Sequence, residues 1–223
     1  MPLAAKLLRR LEEDDTAKKE AIRTLFRHSE QPQAAFRQAL MGLPRERRDA
    51  WFDALLELDP ILEDGPALPR GCVPYLPCSV DAVLRMVDNA QVASSDVFVD
   101  IGSGTGRSAL LAHLLTGADS IGIEIQPQLA HAHRKTIERL GVARCSVITG
   151  DVAELGQSLA FGSVFFLYCP FSGTRIDGLL QTLSLVAKAR PIRIGCVDLT
   201  LPPCAWLRER QLFFSDLRIY ESL

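Results

Sequence analysis

The chain has 223 residues, of which 48% are hydrophobic and 23% charged, with a mean hydropathy of +0.11. That composition excludes a disordered chain and suits one α/β unit with a smaller appendage, not two catalytic domains of ordinary size. A formal charge of -2 provides no general basic field for a phosphate backbone, so there is no strong nucleic-acid signal.

The front of the chain reads as helical. Apolar residues recur at helical spacing: Leu3, Leu7, Leu8 and Leu11, then Ala21, Ile22, Leu25 and Phe26, then Phe36 and Leu40, and finally Trp51, Leu55 and Leu58. Pro32 and Pro44 sit where first-turn prolines start helices, and Asp59-Pro60 is placed to stop the last one. Three or four short amphipathic helices are expected, with Arg45, Arg47 and Arg48 on a solvated face. From residue 60 to 78, Pro60, Pro66, Pro69, Pro74 and Pro77 with Gly65 and Gly71 argue against regular structure and for a linker or lid. Ser79 can cap a helix running to Asn89.

Strand, loop and helix then alternate. Strands are expected at 97–101, 120–125, 145–149, 163–168 and 192–199, with helices over 108–115, 128–140 (stopped by Gly141) and 176–189. The tail at 212–220 is strand-like and suits an edge strand. Strands that are apolar on both faces predict an α/β fold: a Rossmann-like, doubly wound, mainly parallel sheet with a small N-terminal helical extension. The expected division is 1–59 for the helical extension, 60–78 for the linker or lid, and 79–223 for the ligand-binding domain.

No apolar run approaches the ~20 residues of a membrane span. The first residues lack a secretory pattern, with Glu12, Glu13, Asp14 and Asp15 early, so a cytoplasmic location without membrane association is expected. The six cysteines form no CxxC pair and no metal-ligand spacing with the four histidines; reduced thiols and no metal site are expected.

The chemistry-bearing residues cluster at strand ends. In Val97-Phe98-Val99-Asp100-Ile101-Gly102-Ser103-Gly104-Thr105-Gly106-Arg107, a buried strand runs into a glycine loop that opens a helix. Three alternating glycines are as compatible with a tight turn as with close approach to a ligand. Glu124 ends the next strand, where a carboxylate can accept from both hydroxyls of a ribose, and Asp151 follows the third strand in Gly150-Asp151-Val152. Together these acids outline an adenosine pocket. The loop is GxGxG, with Arg107 where a dinucleotide fingerprint has its last glycine and an acid at its mouth. This disfavours a nucleotide-linked oxidoreductase and suits a cationic cofactor without phosphates.

These residues resemble the class I S-adenosylmethionine-dependent methyltransferases over roughly 75–199, and among them most closely the seven-strand histone and mitochondrial lysine methyltransferases. The resemblance implies that the cofactor is S-adenosyl-L-methionine. It further implies that Asp100, Gly102, Ser103 and Gly104 surround its methionine portion, Glu124 its ribose, and Asp151 with Val152 its adenine. Val73-Pro74-Tyr75-Leu76-Pro77 is similar to the mitochondrial group and puts Tyr75 over the cofactor. Tyr168, Cys169 and Phe171 take the acceptor side, Cys169 standing where amine methyltransferases carry an amide or acid before proline. The expected acceptor is a protein side chain, a lysine-type amine first. An RNA or small-molecule acceptor, or cofactor sensing without turnover, are the alternatives.

Overall fold

The computed structural model of the protein describes residues 21–22, 24–26, 32–58 and 68–223, excepting the side chains of Gln157 and Ser158. The helix read around Leu3 to Leu11 and the first half of the proline-rich segment lie outside them. The described elements are α1 (Pro32–Met41), α2 (Arg45–Leu56), α3 (Val80–Asn89), β1 (Val97–Ile101), α4 (Arg107–Thr116), β2 (Asp119–Glu124), α5 (Pro127–Leu140) and β3 (Cys145–Thr149). Then come α6 (Val152–Leu155) with a following 3-10 turn (Gly156–Phe161), β4 (Val164–Tyr168), α7 (Thr174–Ala189), β5 (Arg193–Val197), β6 (Leu207–Glu209) and β7 (Leu217–Ser222).

Local chemistry explains several boundaries. The Ser79 hydroxyl accepts the Ala82 N–H at 3.2 Å, capping α3. Gly141 closes α5 in the left-handed region, φ 66°, which a Cβ would disfavour. Pro32 opens α1, while Pro44 stands one residue before α2 without a side-chain cap, and α2 ends at Leu56, where Glu57 turns left-handed, two residues before the apolar pattern stops.

The strands form one sheet in the order β3-β2-β1-β4-β5-β7-β6. The first five run parallel, and β7 is antiparallel to both β5 and β6. Alternate residues feed two cores, as strand pleating requires: Phe98 and Phe166 face one side, Val99, Phe165 and Leu167 the other. Helix α7 covers the second side, while Phe36, Leu40, Phe52 and Leu56 of α1 and α2 share the first core with Val83, Met86, Leu110 and Leu111. The described part of the helical extension is thus packed into the sheet's own core.

Two expectations are corrected. The tail strand is not at the edge: β7 lies between β5 and β6, and three-residue β6, with Arg208 and Glu209 exposed, takes the edge. Its brevity and polarity gave no alternating signal. Nor is Arg48 on a solvated face. It is 8% exposed, ion-paired to Asp81 of α3 at 2.7 Å, and donates to the Leu43 carbonyl at 3.2 Å, while Arg45 reaches the same carboxylate at 2.5 Å. Among the described residues, no helix is long and apolar enough to cross a membrane. All six cysteines are free.

Candidate active site

Strand order reverses direction at β1, which lies between β2 and β4, and a crevice is expected outside the carboxyl ends of strands at such a switch point. A cavity of about 320 Å³ lies there, within the range of small-molecule sites. Its wall includes Tyr75, Asp100, Gly102, Ser103, Glu124, Asp151, Val152, Tyr168, Cys169 and Phe171. Of the residues anticipated for the site, Gly104 stands apart from that wall. The Tyr75 ring occupies the space its Cβ would need, and the Tyr75 hydroxyl hydrogen-bonds Thr105 Oγ1 at 2.8 Å.

The glycine loop is held from three directions. Both Gly102 and Ser103 donate their N–H to the Ile123 carbonyl, at 2.9 and 3.0 Å. Glu124 accepts from the Gly104 N–H at 2.7 Å and from the Gln126 N–H at 2.8 Å, so its carboxylate ties the loop to the start of α5. Below the loop, His133 is fully buried; its ring fills the space that a Cβ at Gly106 or Gly122 would need. Burial holds the His133 imidazole neutral, its pKa pushed down to about 4.

Asp100 is 3% exposed and accepts the Ala109 N–H at 3.1 Å. Burial raises its pKa to about 7, the N–H bond opposes that rise, and the negative charge of Glu124 adds to it. A carboxyl group poised near neutrality in a cavity wall is well matched to a cationic ligand, which would favour its ionised form. Asp151 caps α6 by accepting the Ala153 N–H at 3.0 Å and meets Arg175 of α7 in a two-pronged pair, both contacts 2.9 Å. The Arg175 hydrogen bonds hold the Asp151 carboxyl below its ordinary range.

On the other side of the cavity, Tyr168 is half-buried at the end of β4 and Phe171 is 5% exposed, its ring built into the second core and its backbone bridged to Cys72. Phe171 is therefore as much packing as wall. Cys169 has φ 40° and donates its thiol to the Asp198 carbonyl at 2.6 Å; burial, then the Asp198 charge, pushes that thiol up.

Cys72, Cys78, Arg107, Gln126, Arg175 and Asp198 also line the cavity and were not anticipated. For Asp198 a signal existed, because it follows β5 as Glu124 closes β2 and Asp151 follows β3. The apolar run through Leu199 disguised it as mid-strand. Arg107 is more than a substitute for a glycine: it reaches Asp49 and Asp53 of α2, both at 2.6 Å, and the Cys78 carbonyl. Among the described residues, no group of three or more His, Cys, Asp or Glu is placed to hold a metal.

Comparison with known proteins points to the same class of fold. The family described as histone methylation protein DOT1 matches residues 75–148, which run from Tyr75 through the glycine loop and Glu124 into β3. A protein-L-isoaspartate O-methyltransferase of Koribacter versatilis is 42% identical over 72 residues, 32% of this chain and 32% of the relative. A protein-lysine N-methyltransferase of Saccharolobus islandicus is 32% identical over 97 residues, 43% of this chain and 60% of the relative. The chain thus spans between about a third and three fifths of the length of these curated relatives. Among solved structures, an RNA methyltransferase from Salinibacter ruber in complex with S-adenosyl-L-homocysteine superposes with a TM-score of 0.53 and 26% identity, over 66% of this chain and 92% of that one. By sheet order, glycine loop and these likenesses, the chain has the fold of the class I S-adenosylmethionine-dependent methyltransferases.

Proposed function

We infer that the protein binds S-adenosyl-L-methionine in the 320 Å³ cavity and transfers its methyl group to a protein side chain, a lysine-type amine. The observation that carries this reading is the placement of Asp100, Glu124 and Asp151 around one cavity beside the glycine loop. The residues fit the cofactor: a carboxyl group near its ionisation point suits a cation, and Tyr75 covers the loop on which the methionine portion would lie. Bound there, the cofactor would supply an electrophilic methyl on a sulfonium and leave as S-adenosylhomocysteine, and a lysine-type acceptor would have to give up its proton before its lone pair could attack.

The chain's own task is alignment and exclusion of water. Glu124 keeps Gly104 in place and stands where a ribose would meet the end of β2. Tyr168, Cys169 and Phe171 bring an acceptor wall from β4 to the same cavity. The acceptor class is supported by the DOT1 family match and by the Saccharolobus relative, a protein-lysine N-methyltransferase.

The test is transfer of labelled methyl groups from S-adenosylmethionine to three acceptors: a lysine-rich peptide, an isoaspartyl peptide and a single-stranded RNA. Label on the lysine peptide alone is the expected result. Label on RNA or on the isoaspartyl carboxyl would overturn the acceptor assignment, and label on none would overturn it in favour of a small-molecule acceptor or of cofactor sensing.

A further inference from the structure

The charged groups lining the cavity nearly all have partners within the protein. Asp100 accepts from Ala109, Glu124 from Gly104 and Gln126, and Asp151 is paired with Arg175. Arg107 is spent on Asp49 and Asp53. Asp198 is different. Among the described residues its carboxylate has no hydrogen-bond or ion-pair partner, and the residue is exposed at the cavity wall beside Tyr168 and Cys169.

Its position is built. Tyr168 of β4 pairs in register with Val197 of β5, so Cys169 and Asp198 leave the sheet side by side at the acceptor end. Both have left-handed backbone, φ 40° and 52°, conformations uncommon for residues other than glycine and concentrated at functional sites. The Asp198 backbone is fixed at both polar groups: its carbonyl accepts the Cys169 thiol at 2.6 Å and its N–H donates to the Asp216 carbonyl at 2.8 Å. The Asp198 charge reaches Tyr168, Cys169 and Cys78, raising all three side chains in pKa after burial has done so. Cys169, with its proton turned to a backbone carbonyl, offers no acceptor oxygen to an incoming amine.

We propose that Asp198, at the end of β5, is the acceptor-recognition residue, its free carboxylate receiving a cationic amine at the mouth of the cavity. This rests on the methyltransferase reading and specifies which side chain chooses the substrate. An unpaired carboxylate attracts and orients an ammonium by a charge-assisted hydrogen bond and repels an anionic acceptor, whether carboxylate or phosphate. The Cys169 thiol bond sets the aspartate backbone, so the departure at strand four and the acid at strand five form one device.

The probe is n-butylamine at pH 7, an alkylammonium that mimics a lysine side chain, with butyrate as its anionic counterpart. Each is titrated by calorimetry against the intact chain and its Asp198→Asn variant, with and without S-adenosylhomocysteine. Asparagine tolerates left-handed backbone better than most residues, so the variant should keep the turn. The expected result is binding of butylammonium but not butyrate, weakened at least tenfold in Asp198→Asn, with S-adenosylhomocysteine affinity and melting temperature unchanged. Equal butylammonium affinity in the two proteins, no butylammonium binding to the unaltered chain, or preference for butyrate would each overturn the proposal. Failure of S-adenosylhomocysteine to bind would instead count against the cofactor reading, and the titrations without it would still report on Asp198.

Discussion

Arg107 and Asp53 form an ion pair of 2.6 Å between the first residue of α4, at the end of the glycine loop, and the middle of α2. The Arg107 side chain is 4% exposed, and Asp49 shares it at 2.6 Å while also accepting the Val80 N–H at 2.7 Å. The helical extension is thereby fastened to the cavity wall. Removing both acids, in Asp49→Asn with Asp53→Asn, leaves a buried guanidinium without a counter-charge. Such losses cost about 3–5 kcal/mol in a dry site, and because both acids are partly solvated the lower end, roughly 3 kcal/mol, is expected. Urea unfolding should show a lower midpoint with an unchanged slope.

Asp100 and His133 make opposite contributions to the pH dependence of stability. Folding raises the Asp100 carboxyl from 3.8 to about 7, so the folded chain binds the extra proton between those values and stability falls as pH rises. Folding lowers His133 from 6.5 to about 4, so the unfolded chain binds the extra proton and stability rises with pH across that window. The two offset each other between about pH 4 and 6.5. In Asp100→Asn the His133 contribution is no longer opposed by Asp100, and the shift of His113, which burial also lowers, adds to it with the same sign. The unliganded variant should therefore gain stability from pH 4 to 6.5 and exceed the unaltered protein at pH 8 by on the order of 3 kcal/mol, while binding the cofactor more weakly. Thermal melts across that pH range, with and without cofactor, check both parts.

Glu124→Ala removes the acceptor for two backbone N–H groups as well as the expected ribose contact. Cofactor affinity should drop by about 1.5–3 kcal/mol, the range for charge-assisted hydrogen bonds. Hydrogen exchange at the Gly104 and Gln126 amides should accelerate in the same variant. A loss of affinity without that acceleration would assign the effect to the ribose alone.

The His133 ring also predicts a coupling. Gly122 has ordinary strand backbone, so the strain in Gly122→Ala comes from packing, with the imidazole and the Ser103 hydroxyl nearest its side-chain space. Overpacking of this kind typically costs about 1–3 kcal/mol. In His133→Ala the same substitution should cost distinctly less, and a double-mutant cycle on unfolding free energies measures the difference.

What was legible in the sequence was whatever neighbouring residues decide. Ser79 before an apolar helix, Gly141 after one, and five apolar runs of strand length gave the alternation and the parallel sheet, because caps, turns and burial periodicity act over a few residues. Asp100, Glu124 and Asp151 were legible for a related reason, being acids where apolar strands stop. Partnerships made across the fold were not. Arg48 reads as a surface charge until Asp81 is brought to it, Arg107 as a missing glycine until α2 supplies two carboxylates, and Asp198 as part of a strand until Cys169 fixes its backbone. Phe171 reads as a pocket wall, yet its burial in the second core means that Phe171→Ala would cost about 3–5 kcal/mol of stability, so Phe171→Leu is the better probe of the acceptor side.

The cavity at the carboxyl ends of β1 and β4 is expected to take an adenosyl sulfur compound. Calorimetric titration of the purified chain with S-adenosylmethionine, S-adenosylhomocysteine and NAD tests it most directly. Binding of both sulfur compounds at one site per chain, lost or weakened in Glu124→Ala, with no heat from NAD, is the predicted result. Heat from NAD with none from either sulfur compound would exclude such a site.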